Sequence, residues 1–223
     1  MQNSFNKDLI LSLYNGCMVN TVGSLTRFQR SVIIGSLLGD GYLRTFPGRS
    51  NALLEINHSF LQKDYVDWKY EVLGNASASP PTARNGNGRR IAYRFYSKQL
   101  PELSEFHALF YGSGKKVIPT DLILDPIMLA VWYMDDGSRC GEDNYYLNTQ
   151  QYSPECQKRL MVMLRRLCLT ATMNKDKIYW RLRLIKASIQ HFEELVRPYI
   201  IPSMTYKLSY NPVETSLFIY KQR

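Results

Sequence analysis

Two long apolar segments, one in each half of the chain, dominate its pattern of hydrophobic and polar positions. The first, residues 31–38, is followed by Asp40, and the second, residues 127–134, is followed by Asp136; a glycine comes directly after each aspartate. Apolar runs of this length fit buried helices. The pattern therefore predicts two buried helices, each of which leads to an aspartate.

Helix-start signals stand before both apolar segments. Thr26 and Gln29 have the spacing of a capping box, in which each side chain bonds the backbone N–H of the other residue. Asp125 followed by Pro126 combines a preferred N-cap residue with a proline at the first helical position. Both signals support the predicted helices.

The remainder of each half alternates between strand-like and helix-like patterns. Short segments with β-branched or aromatic residues in partial alternation predict strands, and longer amphipathic segments predict helices. Each half then has the order α-β-β-α-β-β-α. The predicted strands cover residues 42–43, 52–56, 91–96, 145–147 and 178–184, and the further predicted helices cover residues 63–73, 102–111, 154–169 and 188–199.

The two halves show these features in the same order, which is typical of an internal repeat. The predicted fold class is α+β: two pseudo-twofold-related αββαββα repeats, with the apolar helices packed at their interface and the strands in antiparallel sheets. We predict an N-terminal extension over residues 1–24, a first repeat over 25–120 and a second over 121–223. Residues 75–88, rich in Ser, Pro, Asn and Gly, are predicted to be a long hairpin turn within the first sheet.

The paired helices also predict a site for a divalent cation. Gly35 and Gly39 lie four apart on one helix face and leave room for a second helix, whereas Val131 and Asp135 stand at the matching positions and make the contact asymmetric. Two carboxylates brought together at two negative helix ends repel each other, and a hard cation such as Mg²⁺ would neutralise them. The alternative is ordinary turn chemistry, in which a glycine in the left-handed conformation ends each helix.

Composition adds a preference for polyanions. Lys and Arg number 28 against 19 Asp and Glu, a formal net charge of +9, so binding to a polyanion should weaken as salt rises. The apolar segments are too short to cross a bilayer, and no membrane partner is expected. The four cysteines have neither the close pairs of a zinc site nor the density of a disulfide scaffold, which indicates reduced thiols; they are Cys17, Cys140, Cys156 and Cys168.

The two segments that end in aspartate resemble the two copies of the LAGLIDADG motif of homing endonucleases. They read Ile-Ile-Gly-Ser-Leu-Leu-Gly-Asp-Gly over residues 33–41 and Leu-Ala-Val-Trp-Tyr-Met-Asp-Asp-Gly over residues 129–137, with Asp40 and Asp136 at the acidic position of the motif. The similarity covers about residues 26–208 and resembles the monomeric, intron-encoded branch. Its further matches lie at residues 115–119, 147–150 and 201–208.

The resemblance implies an enzyme that cuts double-stranded DNA with divalent metal. Asp40 and Asp136 would hold Mg²⁺, or another cation such as Mn²⁺ or Ca²⁺. Further metal contacts would come at Gly39 and Asp135, from backbone carbonyls more than from the Asp135 side chain. Asp135 is the weaker candidate because its counterpart in the first motif is a glycine.

The resemblance also implies catalytic partners for the aspartates. Lys116 and Lys207, one in each half, would polarise water or stabilise charge near the scissile phosphate; the alternative for each is a solvated surface lysine. Gln150 matches a family position that organises water. His58 stands at the corresponding place in the first half, where the family has glutamine, and it either hydrogen-bonds water or is a partly buried residue with satisfied partners.

The predicted sheets form a DNA-binding saddle in this reading, with basic strand residues that read bases or hold phosphates. A basic pair at Arg165 and Arg166 lies on a predicted helix and reads as a solvated face. The candidate DNA contacts are Arg44, Arg49, Arg84, Arg89, Arg90, Arg94, Arg139, Lys175, Lys177, Arg181 and Arg183.

Other functions remain open for this sequence. An intron maturase on the same fold would bind intron RNA, with or without nuclease activity, and a DNA-binding regulator would keep the fold without catalysis. The retained aspartates and lysines argue against loss of cleavage but do not exclude a double role. We expect a monomer inside a cell, either in an organelle (mitochondrion or chloroplast) or in a prokaryotic cytoplasm.

Overall fold

The computed structural model describes residues 21–22, 24–86, 90–112 and 114–209. Residues 1–20 of the predicted N-terminal extension, the candidate DNA contact Arg89 and Cys17 lie outside these ranges, and the proposed repeat boundaries remain predictions. The three described cysteines, Cys140, Cys156 and Cys168, are free thiols.

Each half contains three helices and four strands of the predicted repeat, and a short hairpin, β1 (Thr21–Val22) and β2 (Leu25–Thr26), precedes the first. The first half continues with α1 (Arg27–Leu38), β3 (Tyr42–Arg44), β4 (Leu53–Ser59), α2 (Lys63–Leu73), β5 (Thr82–Asn85), β6 (Ile91–Tyr96) and α3 (Pro101–Tyr111). The second contains α4 (Pro126–Asp136), β7 (Gly137–Arg139), β8 (Tyr145–Leu147), α5 (Pro154–Arg166), β9 (Ala171–Asp176), β10 (Tyr179–Leu184) and α6 (Lys186–Val196).

The strands form two antiparallel four-stranded sheets with one topology. Their orders are β3-β4-β6-β5 and β7-β8-β10-β9, so the second sheet repeats the first. In the first sheet Glu55 lies opposite Tyr96, and in the second Leu182 lies opposite Leu147. The α+β class and the repeated αββαββα order predicted from the sequence are confirmed.

The predicted helix starts are present at both motif helices. The Gln29 amide N–H donates to the Thr26 hydroxyl (3.2 Å) and the Thr26 N–H donates to the Gln29 side chain (2.9 Å), which completes the capping box. At α4 the Met128 N–H donates to the Asp125 carboxylate (2.7 Å). The same carboxylate accepts a hydrogen bond from the Ser31 hydroxyl at 2.5 Å, so this cap also joins α4 to α1.

The two motif helices pack at the predicted glycines, and the contact is asymmetric as expected. A Cβ atom placed on Gly35 would lie 2.7 Å from the Cβ of Val131, and one on Gly39 would lie 2.4 Å from the Cβ of Asp135. The side chains of α4 therefore occupy space that α1 leaves free. The helices can approach closely because α1 carries a glycine at each contact, and the contact is asymmetric because α4 carries a larger residue there.

The predicted left-handed glycine turn after each motif helix is wrong. Gly137 has φ −78°, and Gly41 is not among the glycines with positive φ. These glycines are needed for space: a Cβ on Gly137 would lie 2.0 Å from the ring of Tyr133, and one on Gly41 would lie 2.8 Å from the carbonyl oxygen of Ser36.

Three local predictions also need correction. The predicted turn over residues 75–88 contains strand β5, whose side chains are exposed and lack the alternation that marks a half-buried strand. Helix α5 ends at Arg166 rather than at residue 169, because Cys168 has a positive φ of 58°. Helix α6 starts two residues early, at Lys186, and gives way to a short 3₁₀ turn over Arg197–Tyr199.

One hydrophobic core runs through both halves, with Trp132 and Tyr133 of α4 fully buried. Each half also sends a buried tyrosine to the other half's motif helix. The Tyr65 hydroxyl donates to the Val131 carbonyl (3.2 Å), and the Tyr152 hydroxyl donates to the Leu38 carbonyl (3.0 Å). Of the helices in the described ranges, none has the length and apolar character to cross a membrane.

Candidate active site

Two carboxylates meet where the motif helices end. Asp40 follows the end of α1 with its side chain 49% exposed, and Asp136 is the last residue of α4 and is half-buried. Burial, followed by the negative charges of Asp40 and Asp135, raises the pKa of Asp136 from 3.8 to about 7. Burial and the Asp135 charge also raise the pKa of Asp40. Burial therefore disfavours the ionised form of both carboxylates, and the negative charges near them add to this cost.

The raised pKa of Asp136 gives a testable prediction about the stability of the protein in the absence of divalent metal. Because the folded-state pKa of Asp136 is raised, its contribution to stability is fully present below pH 3.8 and is lost as pH rises through about 7. Asp136→Asn should therefore gain melting temperature relative to wild type as pH increases over that window. Thermal unfolding of both proteins in EDTA measures the difference.

The comparison isolates Asp136 because other groups, such as His58, are common to both proteins. A difference in melting temperature that stays constant with pH would show that Asp136 is not destabilised by its surroundings. Added Mg²⁺ should narrow the difference, since bound cation stabilises only the protein that keeps the carboxylate.

Lys116 bridges the turn that carries Asp40. Its Nζ donates to the carbonyl oxygens of Gly39 (2.7 Å) and Gly41 (3.0 Å), on either side of the aspartate. Burial lowers the pKa of Lys116 to about 8, although Asp136, Asp135 and Asp40 partly oppose the shift. Its partial burial and two carbonyl partners rule out the alternative of a solvated surface lysine.

Lys207 holds the end of α4 in a similar way. Its Nζ donates to the carbonyls of Met134 (2.5 Å), Tyr133 (3.3 Å) and Asp135 (3.4 Å), and the residue is 8% exposed. A cation at the negative end of a helix is favourable. Burial lowers the pKa of Lys207, so this lysine too is held in the site rather than solvated.

The Asp135 carboxylate points into the first half, away from solvent. It is fully buried; Oδ1 accepts a hydrogen bond from Lys69 Nζ at 2.7 Å, and Oδ2 accepts one from the Asp40 backbone N–H at 3.3 Å. This agrees with the prediction that the Asp135 side chain is the weaker metal candidate. The carbonyl oxygens of Gly39 and Asp135, which were the predicted metal contacts, both accept from active-site lysines.

Sequence reasoning missed Lys69, which is 0% exposed. A signal for it was present, since Tyr65, Lys69 and Leu73 form one i, i+4, i+8 stripe on α2 and the other two are core residues. A lysine in an apolar stripe needs an anionic partner. The sequence could have flagged the residue, but it could not have supplied the partner.

His58 lies between Asp40 on one side and the Lys69–Asp135 ion pair on the other. Its Nδ1 is 3.5 Å from Asp40 Oδ2, and its Nε2 is 3.5 Å from Lys69 Nζ and 3.7 Å from Asp135 Oδ1. Burial, followed by the Lys69 charge, lowers the pKa of His58 to about 4, so the imidazole is neutral at pH 7. The histidine is therefore buried beside polar side chains, as one of the two interpretations of the sequence expects, and its contact with water stays a prediction.

The glutamine beside Asp136 is not the one predicted. Gln150 donates its side-chain amide to Asp176 Oδ2 on β9 at 2.9 Å, whereas the next residue, Gln151, donates to Asp136 Oδ2 at 3.3 Å. Both glutamines occupy the central positions of a turn closed by the hydrogen bond from the Tyr152 N–H to the Thr149 carbonyl oxygen (3.0 Å), and their side chains reach different partners. Gln151 is the glutamine that contacts the acidic pair.

In the first sheet, two predicted arginines share one buried acid on the polar face. Glu55 pairs with Arg44 and lies 3.9 Å from Arg94, and it was not predicted. A cavity of about 370 Å³ adjoins this face, lined by Asp40, Tyr42, Arg44, Glu55 and Asn57. The cavity thus joins Asp40 to the polar face of the first sheet. Of the other candidates, Arg84 lies on β5 and Arg49 and Arg90 lie in loops, all three exposed.

The register of the second sheet divides its candidates between two faces. Directly opposed residues of an antiparallel pair point to the same face. Arg183 lies opposite Tyr146 and Thr172, and Arg181 lies opposite Asn174, so both arginines are on the polar face.

Two predicted contacts lie on the other face, and their contact with DNA stays a prediction. Arg139 is opposite the buried Tyr145. Lys175 is opposite Trp180, which lies two residues before the core residue Leu182 and therefore points to the same face as Leu182. Both were chosen from composition without knowledge of the strand register. Lys177 occupies the turn between β9 and β10, with φ 56°.

Arg181 is held more firmly than the other arginines of this face. Its guanidinium carbon lies 3.9 Å from the centre of the Tyr146 ring, and its Nη1 donates to Asn148 Oδ1 at 3.2 Å. Its Nε is buried without a hydrogen-bond partner. The guanidinium is thus held in place, and its Nε–H has no hydrogen-bond partner among the described residues.

Fold and site together define a duplicated α+β protein whose paired motif helices place one acid from each half beneath two polar sheets. The chain belongs to the LAGLIDADG DNA endonuclease family, whose profile matches residues 30–192. The resemblance noted in the sequence is thereby confirmed.

Three proteins are similar to this chain over most of its length. Protein RecA of Mycobacterium gastri is 33% identical over 201 residues, which cover 81% of this chain and 46% of that protein. The chain thus spans about half the length of the first curated relatives it matches. Cytochrome b mRNA maturase bI2 of Debaryomyces hansenii is 28% identical over 204 residues, covering 86% and 77% of the two chains. A structure of the homing endonuclease I-WcaI bound to its DNA recognition sequence superposes with a TM-score of 0.78 at 26% identity, covering 89% and 93%.

Proposed function

We propose that this protein is a site-specific homing endonuclease that makes a metal-dependent double-strand break in a long, asymmetric DNA site. The observation that carries the proposal is the meeting of Asp40 and Asp136, one from each repeat, each beside a buried or part-buried lysine. Membership of the family and the likeness to DNA-bound I-WcaI support it. One chain supplies both acids, so we expect it to act as a monomer.

The donor set suits a hard divalent cation such as Mg²⁺ or Mn²⁺. Asp40 and Asp136 would hold it, and a bound cation would stabilise the ionised carboxylates that burial disfavours. Within the described ranges, no group of three or more His, Cys, Asp or Glu side chains could hold a metal ion, so the remaining ligands must come from water, backbone or phosphate. A bound cation would lower the pKa of the attacking water and stabilise the leaving oxygen.

The side chains of the site have separate roles in this hydrolysis. The attacking water releases a proton to solvent as its oxygen forms a bond to phosphorus, the bond to the leaving oxygen of the sugar breaks, and that oxygen takes up a proton from solvent. Lys116 and Lys207 provide positive charge beside the phosphate, where negative charge grows in the transition state. His58, neutral at pH 7, borders Asp40, and Gln151 borders Asp136; both can orient water.

The sheets provide the DNA-binding surface. Their polar faces carry arginines, asparagines and tyrosines suited to base edges and phosphates. The two faces differ in sequence, so the two halves of the recognised duplex should differ as well. The net charge of +9 should make affinity fall as salt rises.

The test of this proposal is a cleavage assay on the sequence formed by joining the two segments that flank the coding region. Purified protein with Mg²⁺ should linearise a plasmid that carries this joined sequence, and EDTA should stop the reaction. A plasmid without the sequence is the control. A shift in gel mobility without strand breakage would mean that the protein is a DNA-binding regulator instead.

Arg181 and Lys175 offer a matched pair for testing which face of the second sheet meets DNA. Arg181→Ala should weaken binding to the cognate duplex by about 1–3 kcal/mol, because a pre-positioned arginine on the polar face is lost. Lys175→Ala, on the opposite face, should leave affinity almost unchanged. Fluorescence anisotropy at fixed salt measures both; equal losses would contradict the assignment of the faces.

A second function, promotion of intron splicing, is favoured by the likeness to the cytochrome b mRNA maturase. It is compatible with endonuclease activity on the same chain. The discriminating measurement is self-splicing of the flanking intron RNA with and without protein. Faster splicing by Asp136→Asn as well as wild type would indicate an RNA function that does not need the acidic pair.

A further inference from the structure

The two halves of the active site are not held in the same way. In the second motif Asp135 precedes Asp136, whereas in the first motif Gly39 precedes Asp40. The missing side chain at Gly39 leaves the space that Asp135 fills, since a Cβ there would lie 2.4 Å from the Cβ of Asp135. An acid of the second repeat is therefore buried against the first.

Lys69 is the cation that compensates this buried acid. Its Nζ lies 2.7 Å from Asp135 Oδ1 and 4.4 Å from the centre of the Tyr65 ring, and both Lys69 and the Asp135 side chain are 0% exposed. A buried carboxylate without such a partner is strongly unfavourable. Lys69 thus fixes the position of Asp135.

Two sets of contacts connect the Lys69–Asp135 pair to Asp40. The second oxygen of Asp135 accepts from the Asp40 backbone N–H at 3.3 Å. His58 also connects the pair: Nε2 is 3.5 Å from Lys69 Nζ, and Nδ1 is 3.5 Å from Asp40 Oδ2. Both the backbone and the carboxylate of Asp40 are therefore linked to Lys69 through one intermediate residue each.

Asp136 has a different environment. Its carboxylate accepts from the exposed Gln151 side chain at 3.3 Å, and its backbone carbonyl accepts from the Asn148 N–H at 2.9 Å. Glycine at position 39 cannot offer Asp136 the contact that Asp135 offers Asp40. The side-chain contacts of the buried ion pair thus reach Asp40, whereas its effect on Asp136 is limited to the charge of Asp135.

We propose that Lys69 is a positioning residue for the Asp40 centre and that its loss makes cleavage of the two DNA strands unequal. The two strands of a duplex are related by twofold axes, as are the two repeats, so each aspartate with its own lysine faces one scissile phosphate. Loss of Lys69 leaves the Asp135 charge beside Asp40 uncompensated and displaces that aspartate. The inference rests on the proposed endonuclease function.

Lys69→Met tests this, because methionine is similar in length, apolar and tolerated beside aromatic rings. The rate of cleavage of each strand is measured separately, with an end label on one strand at a time. We expect one strand to be cut roughly a hundredfold more slowly than in wild type, the loss expected for a misplaced catalytic group, while the other strand is cut at nearly the wild-type rate. Nicked circles should then accumulate from a supercoiled plasmid.

Two further variants separate positioning from loss of stability. Leu103→Ala removes a buried side chain of α3, outside the active site, and should lower the melting temperature while slowing both strands equally or not at all. The double variant Lys69→Met with Asp135→Asn removes both buried charges. It should regain melting temperature and, because the ordered carboxylate is gone, should still favour one strand.

The outcomes distinguish this inference from the function on which it rests. If wild-type protein cuts neither strand, both proposals are overturned. If wild type cuts and the Lys69 variants slow both strands by the same factor, or neither strand, only the role of Lys69 is overturned. The double variant keeps the test valid if Lys69→Met alone does not fold.

Discussion

Asp136→Asn is expected to remove double-strand cleavage almost completely while DNA binding is retained. Asparagine keeps the size of the side chain but removes the negative charge that would hold the cation. A bound metal ion contributes several kcal/mol of transition-state stabilisation. Losing about 4 kcal/mol of it slows the reaction roughly a thousandfold. Linearisation of a plasmid that carries the cognate site, followed over time in Mg²⁺, measures the effect.

Asp121→Asn provides the matched control, because Asp121 is an exposed aspartate outside the active site. It should cut at the wild-type rate. Unfolding is not expected to cause the loss in Asp136→Asn, since removal of a carboxylate with a raised pKa should stabilise the metal-free protein, and thermal unfolding in EDTA checks this. Wild-type cleavage rates for Asp136→Asn, or an unchanged rate of wild type in EDTA, would contradict the role assigned to the acidic pair.

Gly39→Ala is expected to destabilise the protein much more than a methyl group added at a described glycine that has open space beside it. The new Cβ would lie 2.4 Å from the Asp135 Cβ and 2.8 Å from its Oδ2, and Asp135 is fixed by its buried ion pair. The motif helices must then separate. Overpacking of this kind costs about 3 kcal/mol, a large part of the stability of an ordinary domain.

Gly141→Ala is the comparison for this substitution. A Cβ there meets no atom within 4 Å, although φ is +66°. Its cost should be about 1 kcal/mol, from backbone strain alone. Urea unfolding of both variants gives the two free energies. Similar losses would mean that the motif helices can separate without penalty and that the close contact at Gly39 does not hold the two halves together.

The acidic pair was predicted from the sequence because each aspartate belongs to a local pattern. An apolar run, a capping signal before it and a glycine after it are all encoded within a few residues, and the pattern occurs twice. The close approach at Gly35 and its asymmetry with Val131 followed from side-chain size alone. Even so, the conformation of the glycines was predicted wrongly, because tight contacts such as that of Gly137 with Tyr133 depend on packing.

Contacts between distant segments escaped sequence reasoning. Lys69 and Asp135 are 66 residues apart, and nothing local marks them as partners. The glutamine beside Asp136 was misplaced by one residue, because the turn over Gln150 and Gln151 sends the two side chains to different partners.

The sequence by itself determined the duplicated α+β architecture, the motif helices and the two aspartates, because helix periodicity, capping and side-chain size act over short stretches of chain. The tertiary structure alone decided which face of the second sheet Arg139 and Lys175 occupy, since strand register is set by pairing with distant strands. It also decided that a buried lysine compensates Asp135. Burial makes such a pair energetically necessary, but only folding brings its two members together.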